Sequence, residues 1–176
     1  MIKFEKVSKY ANADFAMPIH KTAASAGYDF VVAKDTLVPS YHKQMDKLTQ
    51  QFIQDPLTLK EMKNLCKACG AKPTLVSTGV KCYLEPDTYL ELSVRSSTPL
   101  NSWLILANSK GIIDADYADN PDNEGEIFFQ LINLSPYDIM LQKGDTIGQG
   151  IIYKYLKTDD DAAVGERTGG FGSTNN

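Results

Sequence analysis

Apolar residues in this chain gather in short runs separated by turn residues. Runs at 28–33, 74–80, 89–94, 104–107, 126–133 and 146–153 each have the length and composition of a β-strand. The segment 89–94 alternates Tyr, Leu, Glu, Leu, Ser, Val, the mark of a strand with one buried face. Glu85-Pro86-Asp87, Ser135-Pro136-Tyr137-Asp138 and Lys143-Gly144-Asp145 punctuate the series as turns. Many short strands with regular turns predict a mainly β fold, a sandwich or jelly roll.

One region keeps a different period. Tyr41, Met45, Leu48 and Phe52, with Ile53 beside them, recur at helical spacing. Asp55-Pro56 reads as an N-cap followed by proline in the first turn. Leu59, Met62, Leu65, Cys66 and Cys69 form a second stripe, with Gly70 as its end and Pro73 as the stop. The pattern predicts a short α-helical hairpin, residues 40–72, inserted in a single domain spanning 1–176. Its stripes either pack on each other and on the sheet surface or form a docking face for a protein partner.

Composition narrows the class. The 176 residues include 43% hydrophobic residues, enough for one core, and no apolar run approaches a membrane span. No secretory signal follows the first charged residues, and three cysteines make no disulfide framework, so a cytoplasmic protein is expected. A net charge of −4 argues against direct nucleic-acid binding. Cys66 and Cys69 have zinc-ligand spacing without an obvious second pair, and small buried cysteines on one stripe explain them as well.

Four clusters carry chemistry. In 111–117 (Gly-Ile-Ile-Asp-Ala-Asp-Tyr), alternation in an extended chain would turn Asp114 and Asp116 to one side, where one could act as a general base; the alternative is an acidic turn. Arg95-Ser96-Ser97 after a strand is either a phosphate clamp or a helix-capping cluster. Gln149 follows a tight turn at Gly144-Asp145 and can donate or accept. Beyond a polar linker, Arg167, Gly169, Gly170, Phe171, Gly172, Ser173 and Thr174 combine phosphate donors, backbone freedom and a stacking ring. This segment, 157–176, reads as a mobile C-terminal arm.

In order along the chain, 26–30, 95–97, 111–117, 144–149 and 167–174 resemble the five motifs of the trimeric dUTPase family. The resemblance implies a dUTPase-like β jelly roll and a homotrimer with sites between subunits. It implies Mg2+-dependent hydrolysis of dUTP to dUMP and pyrophosphate, which keeps uracil out of DNA and supplies dUMP for thymidylate synthesis. Within it, Asp114 resembles the general base and Tyr117 the ring that excludes a 2′-hydroxyl. Asn108 resembles the amide that reads uracil, with the backbone of a 108–114 hairpin around Gly111 and Ile113 completing the base pocket. Ser96, Ser97 and Gln149 resemble phosphate contacts, with Arg95 as their support or a trimer contact. Asp29 resembles an outer-sphere metal ligand acting through water. Arg167 resembles the γ-phosphate clamp and Phe171 the lid over uracil, with Gly170, Gly172, Ser173 and Thr174 as further donors.

The pattern departs in places. An acidic stretch, 118–124, lengthens the third motif, Ser97 stands where glycine is frequent, and Gly148 replaces a common alanine. Two alternatives remain beside the hydrolase. One is a nucleotide-binding regulatory protein that works through the helical insertion. The other is a relative of the dCTP deaminases, against which the Asp-Ala-Asp-Tyr run and the glycine-rich arm both argue.

Overall fold

The longest strand, β12 (Thr146–Lys154), organises the molecule. It pairs antiparallel with β3 (Tyr28–Val31) on one side and β7 (Thr88–Ser93) on the other. With β2 (Ile19–His20) and β9 (Gly111–Ile113) these make a five-stranded sheet in the order β2-β3-β12-β7-β9. A second sheet places β10 (Phe128–Asn133) between β5 (Thr74–Ser77) and β8 (Leu104–Leu106). Two ribbons complete the β structure: β1 (Lys3–Lys6) with β6 (Val80–Tyr83), and β4 (Thr36–Val38) with β11 (Ile139–Leu141). The computed structural model describes residues 1–51, 56–165, 167, 169 and 170.

Alternation builds the core. Along β7, Thr88, Leu90 and Leu92 turn inward; along β10, Phe129, Leu131 and Asn133 do. Phe30 and Phe129 meet with ring centroids 5.7 Å apart, and each large apolar side chain buried this way contributes about 2–3 kcal/mol. Gly148 is required beside them: a Cβ there would stand 2.1 Å from Cε1 of Phe129. Asn133 satisfies its buried amide by donating to the carbonyls of Val38 (3.0 Å) and Tyr137 (2.7 Å).

The strand expectations need correction at several ends. The run at 74–80 is two strands, because Gly79 takes a left-handed φ of +70° and the chain turns from β5, paired with β10, into β6, paired with β1. The run at 28–33 leaves its ladder at Val31; Val32 and Ala33 instead bond to the carbonyls of Asp145 and Ser77. Glu126 and Ile127 are buried but precede β10.

The helical insertion contains α1 (Tyr41–Thr49) and α2 (Leu59–Cys69). Ser40, fully buried, roots it: its hydroxyl donates to the Ser135 carbonyl and accepts the His42 N–H, and its own N–H donates to Asp138. Thr58, not Asp55, caps α2, in a reciprocal capping box with Glu61 that satisfies two backbone donors. Gly70 ends the helix with φ +66°. Phe52, Ile53 and Asp55 lie outside the described residues. The two apolar stripes face a seam of about 190 Å3 lined by Tyr41, Met45, Leu48, Met62 and Cys66. Cys66 and Cys69 are half-buried, correcting the expectation of buried thiols, because α2 has no fully buried residue. Cys82 is the buried one, and burial pushes its thiol up to about 12. Among the described residues no helix is long and apolar enough to cross a membrane.

Candidate active site

The third motif is delivered by β9 and the turn after it. Gly111 sits where β9 pairs with Leu92 of β7; a Cβ there would come 3.1 Å from the Leu92 side chain, so glycine lets the strands close. Asn108 lies in the preceding turn, held by hydrogen bonds from Ser109 N–H to Leu106 and from Lys110 N–H to Asn108. The expected 108–114 hairpin is not a two-stranded ladder. β8 belongs to the sheet with β10 and β9 to the sheet with β7, so the turn crosses between sheets.

After Ile113 the chain leaves extended geometry. The Tyr117 N–H donates to the Asp114 carbonyl at 3.1 Å, so 114–117 is a turn and strand alternation does not place the two aspartates. They converge nonetheless. Arg167 donates through Nη2 to Asp114 and through Nε to Asp116, the latter at 2.8 Å, and its guanidinium carbon lies 5.6 Å from the Tyr117 ring centre. Burial disfavours the guanidinium's charge, but the two aspartates together outweigh it and raise the arginine's affinity for its proton. The aspartates are 52% and 57% exposed, so pairs of this kind contribute about 1 kcal/mol or less and are readily exchanged for another anion.

Tyr117 itself is buried. Its hydroxyl donates to the Glu126 carbonyl (3.1 Å) and accepts from the Asn123 amide (2.8 Å). Burial raises its pKa, with Asn123 and Arg167 partly opposing. Glu126 has no exposed surface; its carboxylate is met by Lys9, the Ser77 hydroxyl and the Gly79 N–H.

A cavity of about 250 Å3 opens here, lined by Asn108, Gly111, Ile113, Asp114, Tyr117 and Arg167 among others, Gly170 included. A second, of about 460 Å3, shares Asp114 and Arg167 with it and extends past Asp116 to Tyr155. The Asp114–Arg167 pair therefore lines both spaces.

The other expected residues form a separate group. Asp29, Gln149 and Ser93 stand in register across β3, β12 and β7. Gln149 donates to the Ser93 hydroxyl at 3.4 Å, and a Cβ on Gly27 would strike its carbonyl oxygen at 2.6 Å. Arg95 approaches Asp29 at 3.7 Å, while the buried second oxygen of Asp29 has no hydrogen-bond partner among the described residues. Ser96 and Ser97 are exposed at the start of α3 (Ser97–Ser102); Ser96 occupies its N-cap without a capping bond. Trp103 ends that helix with φ +54°. None of Asp29, Arg95, Ser96, Ser97 and Gln149 lines the cavity around Tyr117. Phe171, Gly172, Ser173 and Thr174 lie outside the described residues.

Sequence reasoning missed the support around Tyr117. In the stretch that lengthens the third motif, Asn120 binds its carbonyl, Asp122 the arm and Asn123 its hydroxyl. The one available signal was composition, since Asn and Asp close turns through their own side chains.

Comparison with known proteins places the chain in context. The dUTPase family model matches residues 57–175. The deoxyuridine 5'-triphosphate nucleotidohydrolase of Lactococcus lactis is 35% identical over 173 residues, covering 97% of this chain and 95% of the relative. That of Rickettsia conorii is 30% identical, covering 96% and 95%. A crystal structure of dUTPase from Streptococcus mutans matches with a TM-score of 0.68 at 32% identity, covering 89% of this chain and 98% of that one. The dUTPase of phage phi11 of S. aureus, at 13% identity and TM-score 0.62, covering 94% and 97%, shares the fold.

Proposed function

The chain belongs to the dUTPase family and hydrolyses dUTP to dUMP and pyrophosphate, and on that premise we propose that Asp114 is the general base. A half-exposed carboxylate at the junction of two cavities can hold a water against the α-phosphorus and take its proton. The water oxygen bonds to that phosphorus while the bond to the bridging oxygen breaks, and pyrophosphate leaves with the electron pair. Uracil would enter beside Asn108, whose amide offers both a donor and an acceptor to the imide edge. Tyr117, buried and held at its hydroxyl, would form the wall against the deoxyribose. Arg167 would exchange its aspartate partners for phosphate oxygens, and Gly170, Phe171, Gly172, Ser173 and Thr174 would close the arm over the base. The observation that carries this reading is the convergence of Asn108, Asp114, Tyr117 and Arg167 on one cavity.

Mg2+ fits the other group of residues. The orphaned oxygen of Asp29 is a buried anionic acceptor suited to a water of a hydrated cation. When bound, the ion supplies positive charge to the triphosphate. Ser96, Ser97 and Gln149 would contact the phosphates, with Arg95 holding Asp29 in place.

That group lines no part of the cavity around Tyr117, so we propose that a complete site joins two chains of a homotrimer in the cytoplasm. Mixing tests it. Asp114→Asn and Gln149→Ala chains are inactive alone on this reading, but unfolded together and co-refolded they regain about a quarter of parental activity, because one site in four draws both intact halves. No recovery would place both residues in one chain's site. The helices of 40–72 expose Lys43, Lys47, Lys60, Lys63 and Lys67, so a protein partner there would be acidic.

A further inference from the structure

We propose that Asn123 is a positioning residue for sugar discrimination: it locks the Tyr117 hydroxyl and ties that ring to the C-terminal arm. The proposal rests on Tyr117 being the wall against the deoxyribose.

The stretch that follows Tyr117 folds as a self-bonded loop. Asn120, buried, accepts the N–H groups of Asp122 and Asn123 at 3.1 and 3.2 Å and donates to the Tyr117 carbonyl at 2.8 Å. It donates also to the Asn123 side-chain oxygen Oδ1 at 2.8 Å, which accepts the Gly125 N–H at 3.0 Å. Asn123 thus has its oxygen committed within the loop and its amide nitrogen aimed outward at the Tyr117 hydroxyl. Outer contacts pin the same loop to β6 and to the turn at Ser8: Asp119 to Lys81 and Tyr83, and Glu124 to Ser8 and Lys81.

A tyrosine hydroxyl that accepts from one side and donates to the other has its ring fixed at the far end. That matters for a wall whose task is to leave no room for one oxygen atom, since a small displacement of a packed group changes which substrate fits. Asn123 also abuts the arm. A Cβ at Gly170 would lie 3.2 Å from its amide nitrogen, and the adjacent Asp122 accepts the Gly170 N–H at 3.0 Å. One loop therefore contacts the wall and the arm together.

The test compares kcat/KM for dUTP and UTP. Asn123→Asp keeps the oxygen that holds the loop but turns the donor into an acceptor, so the Tyr117 hydroxyl, with one proton to give, must abandon either that contact or the Glu126 carbonyl. We expect the dUTP preference to fall about three- to tenfold, as for one lost hydrogen bond, with the melting temperature little changed. Tyr117→Phe, which leaves the loop whole, should lower the preference by a similar factor, and the double variant should fall no further. An unchanged preference in either single variant, or strictly multiplicative effects in the double, overturns the proposal. Tyr117→Ala tells apart the two ways of failing. If it leaves the preference intact, Tyr117 is not the sugar wall, and the proposal falls with that reading. If it abolishes the preference while Asn123→Asp does not alter it, the wall stands and the positioning role is refuted.

Discussion

Replacing Gly148 with alanine adds a single methyl group and should destabilise. The new Cβ would sit 2.1 Å from Cε1 of Phe129 and 2.7 Å from the Ser93 carbonyl oxygen, against 3.4 Å or more for ordinary contact. The ring would have to retreat by about 1.3 Å (3.4 less 2.1), and it is fully buried, with Phe30 already against it. Overpacking of this kind costs about 1–3 kcal/mol, offset by about 0.4–1 kcal/mol because alanine restricts the unfolded chain. A net loss of about 1–2 kcal/mol lowers the melting temperature by roughly 2–8 °C for a domain of this size. Thermal unfolding at one fixed protein concentration measures it, since assembly makes the midpoint concentration-dependent. Phe129→Leu should cost roughly 1–2 kcal/mol alone through the space it opens, but less in the Gly148→Ala background, where the space is used. A Gly148→Ala protein as stable as its parent, or strictly additive losses in the double variant, would refute the packing argument.

Asp114→Asn should abolish pyrophosphate release while dUTP still binds; calorimetry with turnover assays checks both, and near-normal turnover removes Asp114 as the base. Glu126→Ala should destabilise by about 3 kcal/mol in urea denaturation, because it opens a void, strands the Gly79 N–H in the interior and leaves the Ser77 hydroxyl with Tyr10 in place of a carboxylate, and a loss below about 1 kcal/mol contradicts this. The Ser8 hydroxyl and N–H, with Lys81, hold the Glu124 carboxyl down from 4.5 to about 2. A lowered carboxylate pKa contributes stability above its unfolded value that is lost as the pH falls through its folded one, so the parent should lose melting temperature between about pH 4.5 and 2 more steeply than Glu124→Gln; equal slopes refute the assignment. Replacing 41–70 by a short linker should leave dUTP turnover intact, and loss of turnover would show that α1 and α2 support the site.

What could be read from the residues alone divides along physical lines. β7 and β10 were legible because each has one wet and one buried face, which writes an alternation into the sequence. β2, β4 and β11, of two or three residues, are too short to show a period. The break at Gly79 was hidden because Thr78 and Val80, both good strand residues, flank it. The position of the α2 cap was misjudged because Asp55-Pro56 and Thr58 are both sound helix openings, and the glutamate three residues after Thr58 decides between them. In the site, Asp114, Tyr117 and Arg167 were nameable from ordered motifs, whereas their geometry was not. Asp114 and Asp116 meet Arg167 from a turn, a placement made by long-range folding across some fifty positions and not by local periodicity.

The helical insertion leaves the sheet at β4 and returns at β5. β4 pairs with β11 and β5 with β10, and neither attachment strand belongs to the five-stranded sheet built on β12. Lengthening or shortening the chain between them displaces no ladder in which Asp29, Ser93 and Gln149 are aligned. Chain length can therefore drift at this seam, acquiring or shedding an appendage, while the strands that present substrate contacts keep their phase. A single residue gained inside β12 would have the opposite result, turning Gln149 to the wrong side of the sheet.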